Sequence, residues 1–214
     1  FQGGAIYWSA SAGAWFGLPA IETYAAAHLA ELGARQSGVI RIAANGGGFG
    51  QAFSLGSVYS SSRGTWAVLS AIRTHYFALG GSAGTLGWPT ADAVCAAGAC
   101  SQTFQGGAIY WSASTGARVG LPAIEAYAAA HPELGTRSTG LLTIPANGGG
   151  FGQSYSLGSV YSSTAGTWAV AGGIRSKYFA LGGAAGSLGW PTADAVCSAG
   201  TCTQAFQRGT LASG

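Results

Sequence analysis

Phe1-Gln2-Gly3-Gly4-Ala5-Ile6-Tyr7-Trp8-Ser9 recurs letter for letter from Phe104 to Ser112, and this repetition decides the fold. Weaker forms run from Phe53 to Ser61 (FSLGSVYSS) and from Tyr155 to Ser163 (YSLGSVYSS). Phe206-Gln207-Arg208-Gly209 opens one more. Starts at 1, 53, 104, 155 and 206 are separated by 52, 51, 51 and 51 residues. Self-similarity at a fixed period of this size marks a repeat architecture. Copies one and three are most alike, as are two and four, so a pair of unlike modules has been duplicated. The expected boundaries are 1–52, 53–103, 104–154 and 155–205, with a partial fifth module at 206–214, all within one repeat domain over 1–214.

Within a copy, Phe1, Ala5 and Tyr7 share one face while Ile6 and Trp8 share the other. Alternation of aromatic and β-branched residues predicts a strand. A Ser-rich turn follows, closed by Gly13, Gly64, Gly116 or Gly166, and glycine suits the left-handed position of a short hairpin loop. A second strand carries Trp15, Trp66 or Trp168, with Arg118 in the third copy. A helix comes next. Pro19 and Pro122 sit near helix starts, where a missing N–H costs nothing. Glu22 and Glu125 lie in the first turn, where negative charge is favoured. Gly33, Gly80, Gly135 and Gly182 stop the helices. One ββα unit cannot bury its own apolar face, whereas stacked units can. The expectation is an α+β repeat protein, four ββα modules in a pseudo-symmetric, propeller-like ring. A continuous strand from Cys100 to Ser112 would make each module a three-stranded meander plus a helix.

Of 214 residues, 7% are charged, 48% are hydrophobic and 38 are glycine. That apolar content is enough for a folded core. The formal charge of +3 comes from 9 basic and 6 acidic side chains without a basic cluster, so a nucleic-acid surface is not expected. No apolar run approaches the ~18 residues of a membrane-spanning helix. The cysteines repeat one spacing, Cys95 with Cys100 and Cys197 with Cys202. Each pair flanks a short loop. The spacing favours two local hairpin disulfides over a zinc site or free thiols, and disulfides point outside the cytoplasm. The sequence opens in mid-motif at Phe1 without a signal peptide and reads as a mature or excised piece.

Leu86-Gly87-Trp88-Pro89-Thr90 and Leu188-Gly189-Trp190-Pro191-Thr192 close the even copies. They are preceded by Leu79-Gly80-Gly81 and Leu181-Gly182-Gly183 and followed by an aspartate and the F-Q motif. In that order these pieces resemble the LGFP repeat of actinobacterial cell-envelope proteins, and the resemblance covers essentially the whole chain. It implies a secreted, wall-associated module, often appended to mycoloyltransferases, amidases and other envelope enzymes, that anchors proteins through wall polysaccharide such as peptidoglycan or arabinogalactan. Odd copies carry a glycine-rich loop, Asn45 to Gln51 and Asn147 to Gln153, in place of L-G-x-P-T.

Catalysis is not expected. Asp92 and Asp194 are the only aspartates and occupy equivalent places in separate copies, whereas glycoside hydrolysis needs two carboxylates within about 5–10 Å. No G-x-S-x-G elbow is present, and His28, His75 and His131 read as partly buried or capping residues. The glycine-rich loops lack the Gly-Lys-Ser/Thr of a phosphate-binding loop and read as turns entering strands. No cofactor or metal is implied. Aromatics are the candidate ligand binders. Trp8 and Trp111 are replaced by Ser60 and Ser162 in even copies, so a packing role common to all modules cannot require them. Trp88 and Trp190 lie beside Pro and near Asp92 and Asp194. Arg73 and Arg175 are repeated helix cations facing either those aspartates or an anionic glycan. Each candidate also has a structural reading: core tryptophans and plain ion pairs. A structural domain that positions a partner enzyme, or a glycan-acting enzyme, are the alternatives to a wall-binding module.

Overall fold

The computed structural model describes residues 4–10 and 13–213. Phe1, the start of the first motif, lies outside them. The chain divides into two compact units, Phe1–Val119 and Gly120–Gly214.

The first unit begins with β1 (Ala5–Ser9) and β2 (Gly13–Gly17), an antiparallel pair, followed by α1 (Pro19–Ala27) and the single turn α2 (Leu29–Leu32). A four-stranded meander comes next: β3 (Ile40–Ile42), β4 (Gly48–Ala52), β5 (Gly56–Ser61) and β6 (Gly64–Leu69). Helix α3 (Ser70–Ala78) leads to a second meander: β7 (Val94–Ala96), β8 (Ala99–Phe104), β9 (Gly107–Ser112) and β10 (Gly116–Gly120). The second unit repeats the order. It runs α4 (Pro122–Ala130), β11 (Leu142–Ile144), β12 (Gly150–Ser154), β13 (Gly158–Ser163), β14 (Gly166–Ala171), α5 (Gly172–Ala180), then β15 (Val196–Ser198), β16 (Thr201–Phe206) and β17 (Gly209–Ala212).

The repeating element is therefore a meander plus a helix, not ββα. The F-Q motif does not open a sheet. Phe104 and Phe206 are the last residues of the second strands, and Phe53 and Tyr155 lie just past theirs. Each of the four makes an isolated bridge to Arg35, Pro89, Arg137 or Pro191 and is buried. These aromatics bind the sheet to the preceding segment, so a boundary drawn at them cuts each meander in half. Among the described residues the strands form five separate open sheets, and no closed propeller or barrel is seen.

Each helix covers the sheet that follows it. Ile21 and Ala25 of α1 pack with Phe53, Val58 and Ala67. Ile72 and Tyr76 of α3 pack with Phe104 and Ile109. In the second unit Ile124 packs with Tyr155 and Val160, and Ile174 and Tyr178 pack with Phe206. Pro19 and Pro122 stand at the helix starts as expected. A buried glutamine sits in the second strand of every meander, at steps of 51: Gln51, Gln102, Gln153 and Gln204. Gln102 Nε2 donates to the Ala67 (2.6 Å) and Ala91 (2.9 Å) carbonyls, and Gln204 repeats the pair at Ala169 and Ala193. Buried amides matched in this way satisfy the backbone of the segment crossing the sheet.

The tryptophan of L-G-W-P-T is core. Trp88 is 1% and Trp190 0% exposed. Trp88 Nε1 donates to the Ala44 carbonyl (3.2 Å) and Trp190 Nε1 to that of Asn147 (2.9 Å). The glycine-rich loops make room for the indoles. A Cβ on Gly48 would lie 2.9 Å from the Trp88 ring and 2.6 Å from the Ser60 carbonyl, and Gly150 meets Trp190 in the same way. Asn45 and Asn147 clamp these loops to the chain just before L-G-W-P-T, Asn45 through the Ser82 and Gly84 carbonyls. The loop of the odd copy and the motif of the even copy are thus two halves of one packing unit.

Candidate functional site

Both cysteine pairs are disulfides, and each spans neighbouring strands in register, with Cα–Cα distances of 4.1 and 3.9 Å. The loop is two residues long. Ala97 (φ 49°) and Gly98 (φ 76°) are both left-handed, as are Ala199 and Gly200, the geometry of a hairpin turn matched to strand twist. With all four cysteines joined, none is left to hold a metal. Among the described residues no group of three or more His, Cys, Asp or Glu side chains gathers.

Each disulfide hairpin forms one side of a groove. In Phe1–Val119 the groove has a volume of about 430 Å³, and its walls include Tyr24, His28, Asp92, the Cys95–Cys100 bridge and Trp111. In Gly120–Gly214 a groove of about 410 Å³ has Tyr127, His131, Asp194, the Cys197–Cys202 bridge and Ser213. The helix supplies the aromatic pair. His28 caps α1, and its ring stacks on Tyr24 one turn earlier at 4.3 Å; Tyr127 and His131 repeat this at 4.2 Å. Tyr24 donates its hydroxyl to Asp92 Oδ1, which also accepts the Ala67 N–H at 3.1 Å. Tyr127, Asp194 and Ala169 form the same arrangement. Burial, with the hydrogen bond to the carboxylate added, holds both phenols above their ordinary range. Among the described residues no protein donor reaches the second oxygen of either aspartate. No Lys or Arg lines either groove.

The residues expected to bind ligand are therefore distributed unevenly. Asp92, Asp194 and Trp111 lie in the grooves. Trp8 is 71% exposed on β1, and it occupies the place in its hairpin that Trp111 has in the third copy. Trp88 and Trp190 are corrected from candidate binders to core: an indole with no exposed face cannot stack on a sugar. The expected ion pairs of Arg73 with Asp92 and Arg175 with Asp194 do not form. Arg73 Nε donates to Ser57 Oγ at 3.0 Å and its guanidinium lies 5.3 Å from the Phe77 ring, and Arg175 repeats this with Ser159 and Phe179. A larger cavity, about 670 Å³, lies beside Ser159, Tyr161 and Phe179 in the second unit. The grooves are the stronger candidate because the same chemistry recurs in both units. Sequence reasoning missed Tyr24, Tyr127, His28 and His131 as site residues. The signal was their shared spacing of 103 (127 − 24 and 131 − 28) on the two odd helices.

No curated protein matches the chain. A family model described as LGFP repeat matches three stretches, residues 32–84, 86–131 and 134–186.

Proposed function

The chain belongs to the LGFP repeat family, and on that premise we propose that it is an extracellular module that holds protein at the actinobacterial cell wall by binding wall glycan. The observation that supports this reading is the recurrence of the groove. An aromatic pair, a carboxylate with a spare acceptor oxygen and an apolar disulfide wall occur in each unit. Sugar rings present C–H faces to aromatic walls and hydroxyls to carboxylates, and binding pockets of this kind combine an apolar lining with a few placed polar groups. Two disulfides agree with a place outside the cytoplasm. Among the described residues no helix is long and apolar enough to cross a membrane.

Two weak sites on one chain act together, because engagement of the first raises the effective concentration of the second. The test is sedimentation with purified actinobacterial wall. The protein should stay with the wall in 1 M salt, where ionic attraction is screened beyond about 3 Å. Trp8→Ala with Trp111→Ala should weaken retention, with circular dichroism checking that the double variant keeps its fold. Release of the parent protein by salt, or its failure to sediment, would turn the reading to a domain that positions an envelope enzyme.

A further inference from the structure

We infer that the two grooves are unequal sugar subsites. Each takes one hydroxyl- or acetamido-bearing sugar ring without negative charge, whose proton is accepted by Asp92 or Asp194. The groove of Phe1–Val119 is the tighter because Trp111 closes it where Ser213 stands in the other. The inference rests on the wall-binding reading and names its ligand class.

Three observations select the ligand. First, the volumes of about 430 and 410 Å³ fall in the range of roughly 300–1,000 Å³ of small-molecule pockets. Secondly, among the described residues the walls carry the carboxylates Asp92 and Glu31 with the imidazole of His28, or Asp194 and Glu133 with that of His131, beside the neutral phenol of Tyr24 or Tyr127. Each imidazole faces its own glutamate, at 3.6 Å for His28–Glu31 and 2.8 Å for His131–Glu133. With no Lys or Arg opposite, an anionic ligand would meet uncompensated carboxylates. Thirdly, each aspartate shares its groove with apolar walls, Ile72 or Ile174 and the disulfide. A wholly apolar ligand would strip water from the spare aspartate oxygen without replacing its hydrogen bond, whereas a sugar hydroxyl or amide supplies one.

The inequality follows from the register. Trp111 is paired with Cys100 across β8 and β9. It also borders a second concavity, with Val94, Ser101 and Tyr110. In the second unit, Ser213 holds the matching place: its N–H donates to the Cys202 carbonyl at 2.7 Å and its Oγ accepts from Cys202 N–H at 2.8 Å. One groove therefore has an indole wall and the other a hydroxyl already engaged by backbone.

The experiment is an NMR titration of the whole chain, read at the Trp111 indole and the Ala93 and Ala195 amides. The neutral probes are N,N′-diacetylchitobiose and a galactan oligosaccharide. The anionic probe is digalacturonate. At least one neutral probe should move Ala93 and Trp111 at a concentration about tenfold below that which moves Ala195, and digalacturonate should bind more weakly. Ser213→Trp should tighten the second groove about tenfold, and Trp111→Ser should bring the first down to the level of the second. Because Trp111 also packs against the core, the gain in Ser213→Trp carries the test if Trp111→Ser unfolds. Neutral probes that move neither groove, equal affinity at the two, tighter binding of digalacturonate, or no gain in Ser213→Trp would each overturn the inference. Wall sedimentation of the parent separates the two claims: retention with silent grooves sinks the groove assignment alone, and absence of retention sinks the anchoring reading.

Discussion

Tyr24 on α1 donates its hydroxyl to Asp92, 68 residues further along the chain. Asp92 also accepts the Ala67 N–H from β6, so one carboxylate ties a helix, a strand edge and the segment entering the disulfide hairpin. Tyr24→Phe removes one of the two donors and leaves the other. Tyr24 is half-buried, so the bond to a charged acceptor is partly screened and its loss should cost about 1 kcal/mol. Urea unfolding of Tyr24→Phe should show this decrease, and Tyr127→Phe should match it. An unchanged midpoint in both would mean that the carboxylate is held by the strand alone.

Trp88→Ala tests packing, not ligand binding. The indole is fully enclosed between Tyr59, the glycine-rich loop and Leu86, so truncation should cost about 3–5 kcal/mol. Gly48→Ala approaches the same contact from the opposite side. Its new methyl would press on the Trp88 ring and the Ser60 carbonyl, at a cost of about 1–3 kcal/mol. Thermal unfolding should place both variants well below the parent. A Trp88→Ala chain with parental stability would refute the core assignment.

The sequence made the repeat, the helix starts, the hairpin glycines and both disulfides legible, because each depends on local chemistry: proline at a first turn, glycine at positive φ, cysteines across a tight turn. The meander's true limits were less visible. Phe104 begins the most repetitive string yet ends a strand, because its ring stacks on Tyr76 of α3 and its backbone bridges Pro89. The burial of Trp88 was hidden for a related reason. Its enclosure is built by Gly48, 40 residues earlier (88 − 48), in a loop that looks like a plain turn. The grooves arise where α1, β6 and the hairpin meet, and no single stretch contains more than one wall.

The hairpin turn is a place where the sequence is not optimal for its own structure. Ala97 adopts φ 49°, a region where a Cβ is disfavoured and where asparagine is the preferred partner of a following glycine. Ala97→Asn should stabilise the hairpin by about 0.5–1 kcal/mol. The effect should be largest after reduction, when the Cys95–Cys100 bond no longer holds the strands together. Hydrogen exchange at the amides of β7 and β8 in reduced protein should slow in Ala97→Asn. Equal exchange in reduced parent and variant would show that the strain at Ala97 does not govern the hairpin's stability.

High pH should unfold the protein through its tyrosines. Six of the nine, Tyr24, Tyr59, Tyr76, Tyr127, Tyr161 and Tyr178, have phenols pushed above their ordinary range chiefly by burial. For Tyr59 and Tyr161 the value is about 12, with Arg73 and Arg175 nearby restraining the rise. In the unfolded chain a tyrosine titrates near about 10. Below that pH both states keep the proton and the full stability is present. As pH climbs from about 10 to about 12, the unfolded chain releases protons that the folded chain retains, so the folded state is progressively disfavoured. The urea midpoint should therefore fall steeply across that window. Phenolate absorbance of these six rings should appear together with loss of the circular dichroism signal, as one step. Tyr59→Phe with Tyr161→Phe should make the fall shallower, since two of the titrating groups are gone. Phenolate absorbance that develops fully near pH 10 while the fold persists would show that these rings are open to solvent and that burial does not govern them.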